Sequence, residues 1–254
     1  MSDKIEIKKD TFFKGTIAVL GILLIISIFT GGFGFGANTG GGNAVVNDNG
    51  GNAAQPVSMK VLEDTSLYPA LGPSDAKHTV IEFADFQCPW CAVASGLPQF
   101  AKDAAPSNPQ IASVLDSAGK VEELAKQGKV RFIYVSMSFL DDRSSTKESD
   151  WTVEAGLCAN DQGKFWEMHD LIFTAHDGQE NNGKYSKDNL KTMASGISGL
   201  DTAKFNSCLD DGDHSSDVSK IASVASQFAS GTPTIYVDGN KVSPVWSEIS
   251  NLLN

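Results

Sequence analysis

The chain has 254 residues, of which 41% are hydrophobic, and carries a formal net charge of −11 at pH 7. This length supports one ordinary hydrophobic core with appendages and argues against two large domains. The acidic balance argues against a nucleic-acid surface, because backbone phosphates require clustered Lys and Arg. Four cysteines are too few for a disulfide-dense scaffold, but outside the cytosol an even number allows two pairs.

The first 57 residues predict a membrane anchor followed by a tether. Residues 15–36 carry no charge and supply about 22 residues, against roughly 20 for a membrane-spanning helix. A cleaved signal peptide is the alternative, although no convincing small-x-small cleavage site is present. Four lysines lie within residues 1–14 and the next charge after the span is Asp48, so we expect a single-pass protein with a cytoplasmic N-terminus. Residues 37–57 have the Gly- and Asn-rich composition of a flexible linker.

From residue 58 onward, the hydrophobic pattern predicts an α/β domain. Runs rich in β-branched and aromatic residues predict two buried strands, Thr79–Phe83 and Val130–Val135. A helix after the first strand should end near Pro98, and another helix is predicted over Ile111–Gln127.

The next block, about 142–230, has a helical pattern and predicts an inserted helical domain. Its amphipathic segments are Trp151–Ala159, Lys164–Thr174, Lys187–Ser195, Thr202–Leu209 and Ser215–Ala229. Ser186 and Asp201 precede two of these segments and are predicted N-caps.

Strand character returns at Thr234–Val237, and Asp238-Gly239 is a favoured two-residue hairpin turn. A closing helix is predicted over Val245–Leu253. Strands on either side of a helical block predict one mixed sheet covered by helices.

The segment with the most chemical information is Cys88-Pro89-Trp90-Cys91, which follows the first strand where a helix should begin. Unpaired amides and the positive end of the helix dipole stabilise a thiolate at such a position, and Cys91 lies one turn away. Pro89 suits the first helical turn. The remaining candidate zinc ligands show no paired spacing: Cys158, Cys208, His169, His176 and His214. The segment therefore predicts thiol–disulfide chemistry and no metal site.

A second informative element is Thr232-Pro233, directly before the strand at Thr234–Val237. An X-Pro bond can be cis at modest cost, and a cis bond exposes backbone groups of the preceding residue to an extended substrate. A trans proline that starts an edge strand is the alternative.

Four segments, VIEFADFQCPWC, GLCANDQGKFWEMHD, FNSCLDDG and GTPTIYVDG, occur in the order seen in the DsbA-like thiol:disulfide oxidoreductases. The chain resembles this family over Met59–Asn254, which implies a thioredoxin fold with a helical insert. The resemblance implies that Cys88 is the nucleophile, Cys91 its buried partner and Pro233 a cis-proline facing both. Glu82 falls where the family often carries a buried acidic residue, which as a buried charge suits a proton acceptor or a neutral acid.

Two features depart from this family. Trp90 stands where the best-known strong oxidants have a His, and Pro98–Ser117 resembles an insertion. Cys158 and Cys208 lie in predicted helices, where an oxidising compartment favours a structural disulfide over a second redox relay.

The sequence thus predicts a membrane-anchored extracytoplasmic thiol:disulfide oxidoreductase that forms or exchanges disulfides in cysteine-containing client proteins. The oxidase direction is favoured, with isomerase and reductase directions left open. A membrane quinone-linked partner of the kind the family uses should reoxidise Cys88 and Cys91, without a tightly bound cofactor. The alternative is a noncatalytic thioredoxin-like binding or metal-binding module on a membrane stalk.

Overall fold

A computed structural model describes residues 58–254 of the protein. The predicted cytoplasmic terminus (1–14), membrane anchor (15–36) and linker (37–57) lie outside these residues. None of the helices within 58–254 combines the length and the apolar character that crossing a membrane requires.

A five-stranded mixed sheet forms the centre of the described domain. Its strands are β1 (Ala70–Leu71), β2 (Thr79–Asp85), β3 (Arg131–Met137), β4 (Thr234–Val237) and β5 (Asn240–Val242). The spatial order is β1-β3-β2-β4-β5, with β2 and β3 parallel and the other neighbours antiparallel. The predicted mixed sheet is therefore confirmed, and β2 is its central strand.

The α-helices lie between β2 and β3, between β3 and β4, and after β5. Before β3 lie α1 (Pro89–Ser95), α2 (Gln99–Ala104), α3 (Pro109–Val114) and α4 (Ser117–Lys126). Between β3 and β4 lie α5 (Glu148–Asn160), α6 (Phe165–Ala175), α7 (Lys187–Ala194), α8 (Thr202–Asp211) and α9 (Ser215–Ala225), and α10 (Trp246–Leu252) closes the chain. Short 3-10 turns cover Met59–Glu63, Ala105–Ser107 and Phe139–Arg143.

The five helices between β3 and β4 match the five amphipathic segments of the sequence. Ser186 accepts a hydrogen bond from the backbone N–H of Asn189, and Asp201 accepts from those of Ala203 and Lys204. Both predicted N-caps are confirmed, because these oxygens satisfy amide groups that have no partner inside their helices.

One predicted helix is wrong. Ile111–Gln127 is not continuous, because the chain turns at Asp116, whose φ is +62°. The backbone N–H of Asp116 bonds to the Val93 carbonyl at 3.0 Å, which satisfies the end of α1. At Gly96 a Cβ would lie 2.5 Å from Asp116 Oδ1, so this close approach needs a glycine. The break docks the start of α4 against α1.

Both faces of the sheet are buried. On one face Val80, Phe132 and Ile235 pack with residues of α4 and α10, and on the other Ile81 and Phe83 pack with residues of α9. A β2 strand covered on both sides holds the segment that follows it in a fixed position.

A disulfide links two helices of the block between β3 and β4. Cys158 of α5 bonds to Cys208 of α8, across a sequence separation of 50 residues. The structure thus joins the two cysteines that the sequence analysis interprets as a structural pair.

Candidate active site

The Cys-X-X-Cys segment lies at the carboxyl end of β2, where α1 begins. Cys88 is the N-cap residue of α1 and Pro89 is the first helical residue. The backbone N–H of Cys88 bonds to the Asp85 carbonyl at 2.9 Å, which closes a turn between the strand and the helix. Cys88 and Cys91 are free thiols; Cys88 is 7% exposed and Cys91 is 0% exposed. Cys88 is therefore the more exposed of the two residues.

The Thr232-Pro233 segment faces this helix start, although it lies far away in sequence. The Thr232-Pro233 peptide bond is cis. The Cys88 Sγ lies 3.6 Å from the Thr232 carbonyl oxygen, a contact between residues 144 positions apart. The two elements that the sequence analysis singled out independently thus form one site.

The two thiols have opposite electrostatic environments. The hydrogen bond with Cys91 is the largest influence on Cys88 and lowers its pKa, against a burial effect that raises it. The backbone N–H groups of Trp90 and Cys91 lower the Cys88 pKa further. Burial raises the Cys91 pKa well above its ordinary value, and the adjoining Cys88 thiol raises it again. The site therefore favours a thiolate on Cys88 and a protonated Cys91.

The Thr232 side chain acts on both thiols. It lowers the pKa of Cys88 and of Cys91. Its hydroxyl is buried and has no hydrogen-bond partner among residues 58–254. The hydroxyl is therefore a donor available to a thiolate formed beside it.

Glu82 is a buried acid beneath the cysteines. It is 3% exposed, and β2 places it opposite Tyr134 of β3. Burial raises its pKa to about 8, with smaller contributions from the charges of Glu122 and Cys88. Glu82 therefore favours its protonated form at neutral pH, and its charge, once it ionises, raises the pKa of Cys91.

Asp85 has a different surrounding from Glu82. It is fully buried, and burial raises its pKa well above the ordinary value. Its carboxyl group accepts hydrogen bonds from Gln87 N at 2.9 Å, Ser149 Oγ at 2.9 Å and Leu140 N at 3.3 Å. Asp85 thus fastens the turn before Cys88 to the start of the helical block.

Sequence reasoning missed two residues of the site, Gln87 and His176. Gln87 is fully buried directly before Cys88. The sequence shows His176 only as one of several scattered candidate zinc ligands without paired spacing, but its Nε2 lies 3.0 Å from the Gln87 carbonyl oxygen. The only available signal was the position of Gln87 beside the cysteine, since His176 lies beyond the periodic part of α6.

Residues of the stretch Pro98–Ser117 pack beside Trp90. Trp90 and Phe100 are partly buried and pack against the same two hydrophobic clusters. The Phe100 ring centroid lies 5.6 Å from that of His176. An apolar Trp side chain thus occupies the position between the cysteines, where the strong oxidants of the resembling family have a His.

Within residues 58–254, two groups of side chains carry atoms of the kind that bind metal ions. Glu122, His169 and Asp170 place three potential ligand atoms within 4.8 Å of one another, as do Cys158, Cys208 and His214. In the first group Glu122 Oε1 lies 2.8 Å from Lys126 Nζ, and in the second the sulfurs form a disulfide. Glu122 is thus ion-paired with Lys126, and the two sulfurs of the second group are bonded to each other.

A family model described as thioredoxin matches residues 64–99 and 112–254. The chain belongs to the thioredoxin family. The unmatched residues 100–111 lie inside Pro98–Ser117, the stretch interpreted as an insertion. They include most of α2 and the start of α3.

Individual relatives divide into two kinds. The Na+/H+ antiporter NhaA 3 of Salinispora tropica is 28% identical over 186 residues, covering 73% of this chain and 24% of the antiporter. The chain spans about a quarter of the length of that relative. A probable disulfide bond formation protein D of Bacillus anthracis is 24% identical over 194 residues, covering 74% of this chain and 78% of that protein.

A solved structure shows the same fold. Oxidised BdbD from Bacillus subtilis aligns with a TM-score of 0.59 at 22% identity, covering 75% of this chain and 92% of that chain. This similarity and the match to the Bacillus anthracis protein confirm the resemblance to the DsbA-like proteins that the sequence predicts.

Proposed function

We propose that this protein is an extracytoplasmic thiol:disulfide oxidoreductase that forms disulfides in cysteine-containing client proteins, anchored to the membrane by residues 15–36. One observation carries the proposal. Cys88 is the N-cap residue of α1 and its Sγ lies 3.6 Å from the Thr232 carbonyl oxygen, while Cys91 is fully buried. A position that stabilises a thiolate on Cys88, beside the Thr232 carbonyl, suits docking of an extended client segment and its attack on the Cys88 sulfur of the disulfide form.

The reaction begins with Cys88 and Cys91 joined as a disulfide. A client thiolate attacks the Cys88 sulfur, a mixed disulfide forms, and the electron pair of the broken S–S bond passes to Cys91. Cys91 takes up a proton, for which the protonated Glu82 is the buried source. The second client thiolate then attacks the client sulfur of the mixed disulfide. Cys88 leaves as a thiolate, the client is oxidised by two electrons and the enzyme is reduced.

The oxidase direction follows from the stability of the leaving thiolate. A thiolate that the protein stabilises makes the reduced form favourable, and therefore makes the disulfide a stronger oxidant. The hydrogen bond with Cys91 supplies the largest part of this stabilisation at Cys88, and the Thr232 side chain and the backbone N–H groups of Cys91 and Trp90 add to it, without a cation at Trp90. We therefore expect a reduction potential less negative than about −270 mV and more negative than about −120 mV, the values typical of a reductant and a strong oxidant.

Reoxidation requires an acceptor for two electrons. A membrane quinone-linked protein suits this role, because residues 15–36 would keep the domain at the same membrane. The disulfide formation named for the Bacillus anthracis relative supports the proposal. The ion transport named for the antiporter relative does not, because the matched region is 24% of that protein.

The direct test is the Cys91→Ala variant, in which no Cys91 thiolate can displace a client that is disulfide-bonded to Cys88. The full-length variant should accumulate mixed disulfides with clients, detected as dithiothreitol-sensitive adducts by mass spectrometry. Cys88→Ala is the matched control and should form none. If neither variant alters client oxidation and no adduct appears, the protein is a noncatalytic module.

A further inference from the structure

The turn before Cys88 is held by a histidine from another part of the chain. The ring Nε2 of His176 lies 3.0 Å from the backbone carbonyl oxygen of Gln87. The other ring nitrogen, Nδ1, accepts a hydrogen bond from the backbone N–H of Gly178 at 2.9 Å. Because Nδ1 accepts, the proton of the neutral ring lies on Nε2, and Nε2 donates to the Gln87 carbonyl.

The Gln87 side chain is fixed by the same segment. Its Oε1 accepts from the Asn181 backbone N–H at 2.7 Å, and its Nε2 donates to Ser149 Oγ at 2.9 Å. Weaker contacts join that Nε2 to Asn181 Oδ1 at 3.2 Å and Asp141 Oδ1 at 3.3 Å. Hydrogen bonds therefore fix Gln87 through both its backbone carbonyl and its side-chain amide. Residues that follow α6 take part in both sets of bonds.

We propose that His176 is a positioning residue for the Cys88 thiolate, acting through the hydrogen bond that its imidazole donates to the Gln87 carbonyl. This carbonyl belongs to the peptide unit that enters Cys88, so its partial negative charge lies close to the cysteine. A donor on the oxygen offsets that charge and polarises the Cys88 amide. Both effects stabilise an anion on Cys88.

This inference rests on the proposed function, because it concerns the same nucleophile. A second buried histidine shows what a packing role looks like. His169 is 3% exposed, as is His176, and its ring packs edge-on against Tyr134 and Phe173 at 4.9 Å. Its Nδ1 lies 2.9 Å from Asp170 Oδ1. His169 therefore offers a matched control with equal burial.

The experiment compares His176→Phe, His176→Gln and His169→Phe in the full chain. The readouts are the ultraviolet absorbance of the Cys88 thiolate against pH and the redox equilibrium with glutathione. Loss of the donor in His176→Phe should reduce the thiolate fraction near pH 7 about threefold and shift the glutathione equilibrium toward the protein disulfide by a similar factor. His176→Gln keeps an N–H donor and should recover most of both effects. His169→Phe should match the wild type.

The proposal is overturned if a folded His176→Phe protein matches the wild type in both readouts, or if His176→Gln is as impaired as His176→Phe. If His176→Phe does not fold, the wild-type protein supplies the test. The ring 15N shifts of His176 must then differ between the oxidised and the reduced protein, and identical shifts would overturn the proposal. Failure of the proposed function gives a different result, since the wild type itself would then show an unperturbed Cys88.

Discussion

The two cysteine pairs of this domain are equally buried but chemically opposite. Cys88 and Cys91 are 7% and 0% exposed, and Cys158 and Cys208 are 1% and 7% exposed. Only the second pair forms a disulfide here. Burial therefore does not distinguish the free thiols from the disulfide-bonded cysteines in this fold.

Position along a helix does distinguish them. Cys88 caps the amino end of α1, where free amides and the helix dipole favour a negative charge. Cys158 and Cys208 lie in the carboxyl-terminal halves of α5 and α8, where the dipole disfavours a thiolate. We therefore expect the first pair to exchange with clients and the second pair to stabilise the fold.

The largest expected effect comes from removing the second pair. Cys158→Ser/Cys208→Ser should lower the free energy of unfolding by about 2–4 kcal/mol, because the unfolded chain loses a long cross-link. Urea denaturation measures this change, with Cys88→Ser/Cys91→Ser as the matched control that should lose much less. The reactivity of Cys88 in the folded double variant should equal that of the wild type. A large loss of Cys88 reactivity would show that the two pairs are coupled.

The next largest effect concerns Glu82, the buried acid near Cys88 and Cys91. The pKa of Glu82 is raised from its ordinary value of 4.5 to about 8, so the folded state binds more protons than the unfolded state between these pH values. Stability should therefore fall as the pH rises from about 4.5 to about 8. Glu82→Gln should flatten this part of the stability profile. An unchanged slope in urea titrations would contradict the assignment of a neutral Glu82.

The smallest effect concerns the hydroxyl beside the sulfurs. Thr232→Val keeps the side-chain shape and removes the donor, so the thiolate fraction of Cys88 near pH 7 should fall about threefold. The rate of alkylation against pH measures this fraction. Thr234→Val is the control, because its hydroxyl donates to the Gly231 carbonyl at 2.8 Å. Equal rates for Thr232→Val and wild type would remove Thr232 from the site chemistry.

The sequence predicts the parts of this molecule that depend on local patterns. The strands at Thr79 and Thr234 and the N-caps Ser186 and Asp201 follow from periodicity and from single residues that satisfy nearby amides. The break at Asp116 does not, because its cause is a contact with α1 rather than a breaker residue.

The candidate site divides in the same way. Cys88 and Thr232-Pro233 carry recognisable short patterns, and the structure brings them together. The bond from His176 to Gln87 joins positions 89 residues apart and depends on how the segment after α6 folds back. Periodicity carries no information on such a contact, so only the tertiary structure shows it.

The central claim is that the start of α1 holds Cys88 as a thiolate while Cys91 stays protonated. Alkylation of the reduced wild-type protein at a series of pH values, with the modified cysteine identified by mass spectrometry, tests it most directly. We predict modification of Cys88 alone, with a midpoint below the ordinary thiol pKa of about 8.5. A Cys88 midpoint at or above about 8.5, or equal modification of Cys91, would contradict the claim.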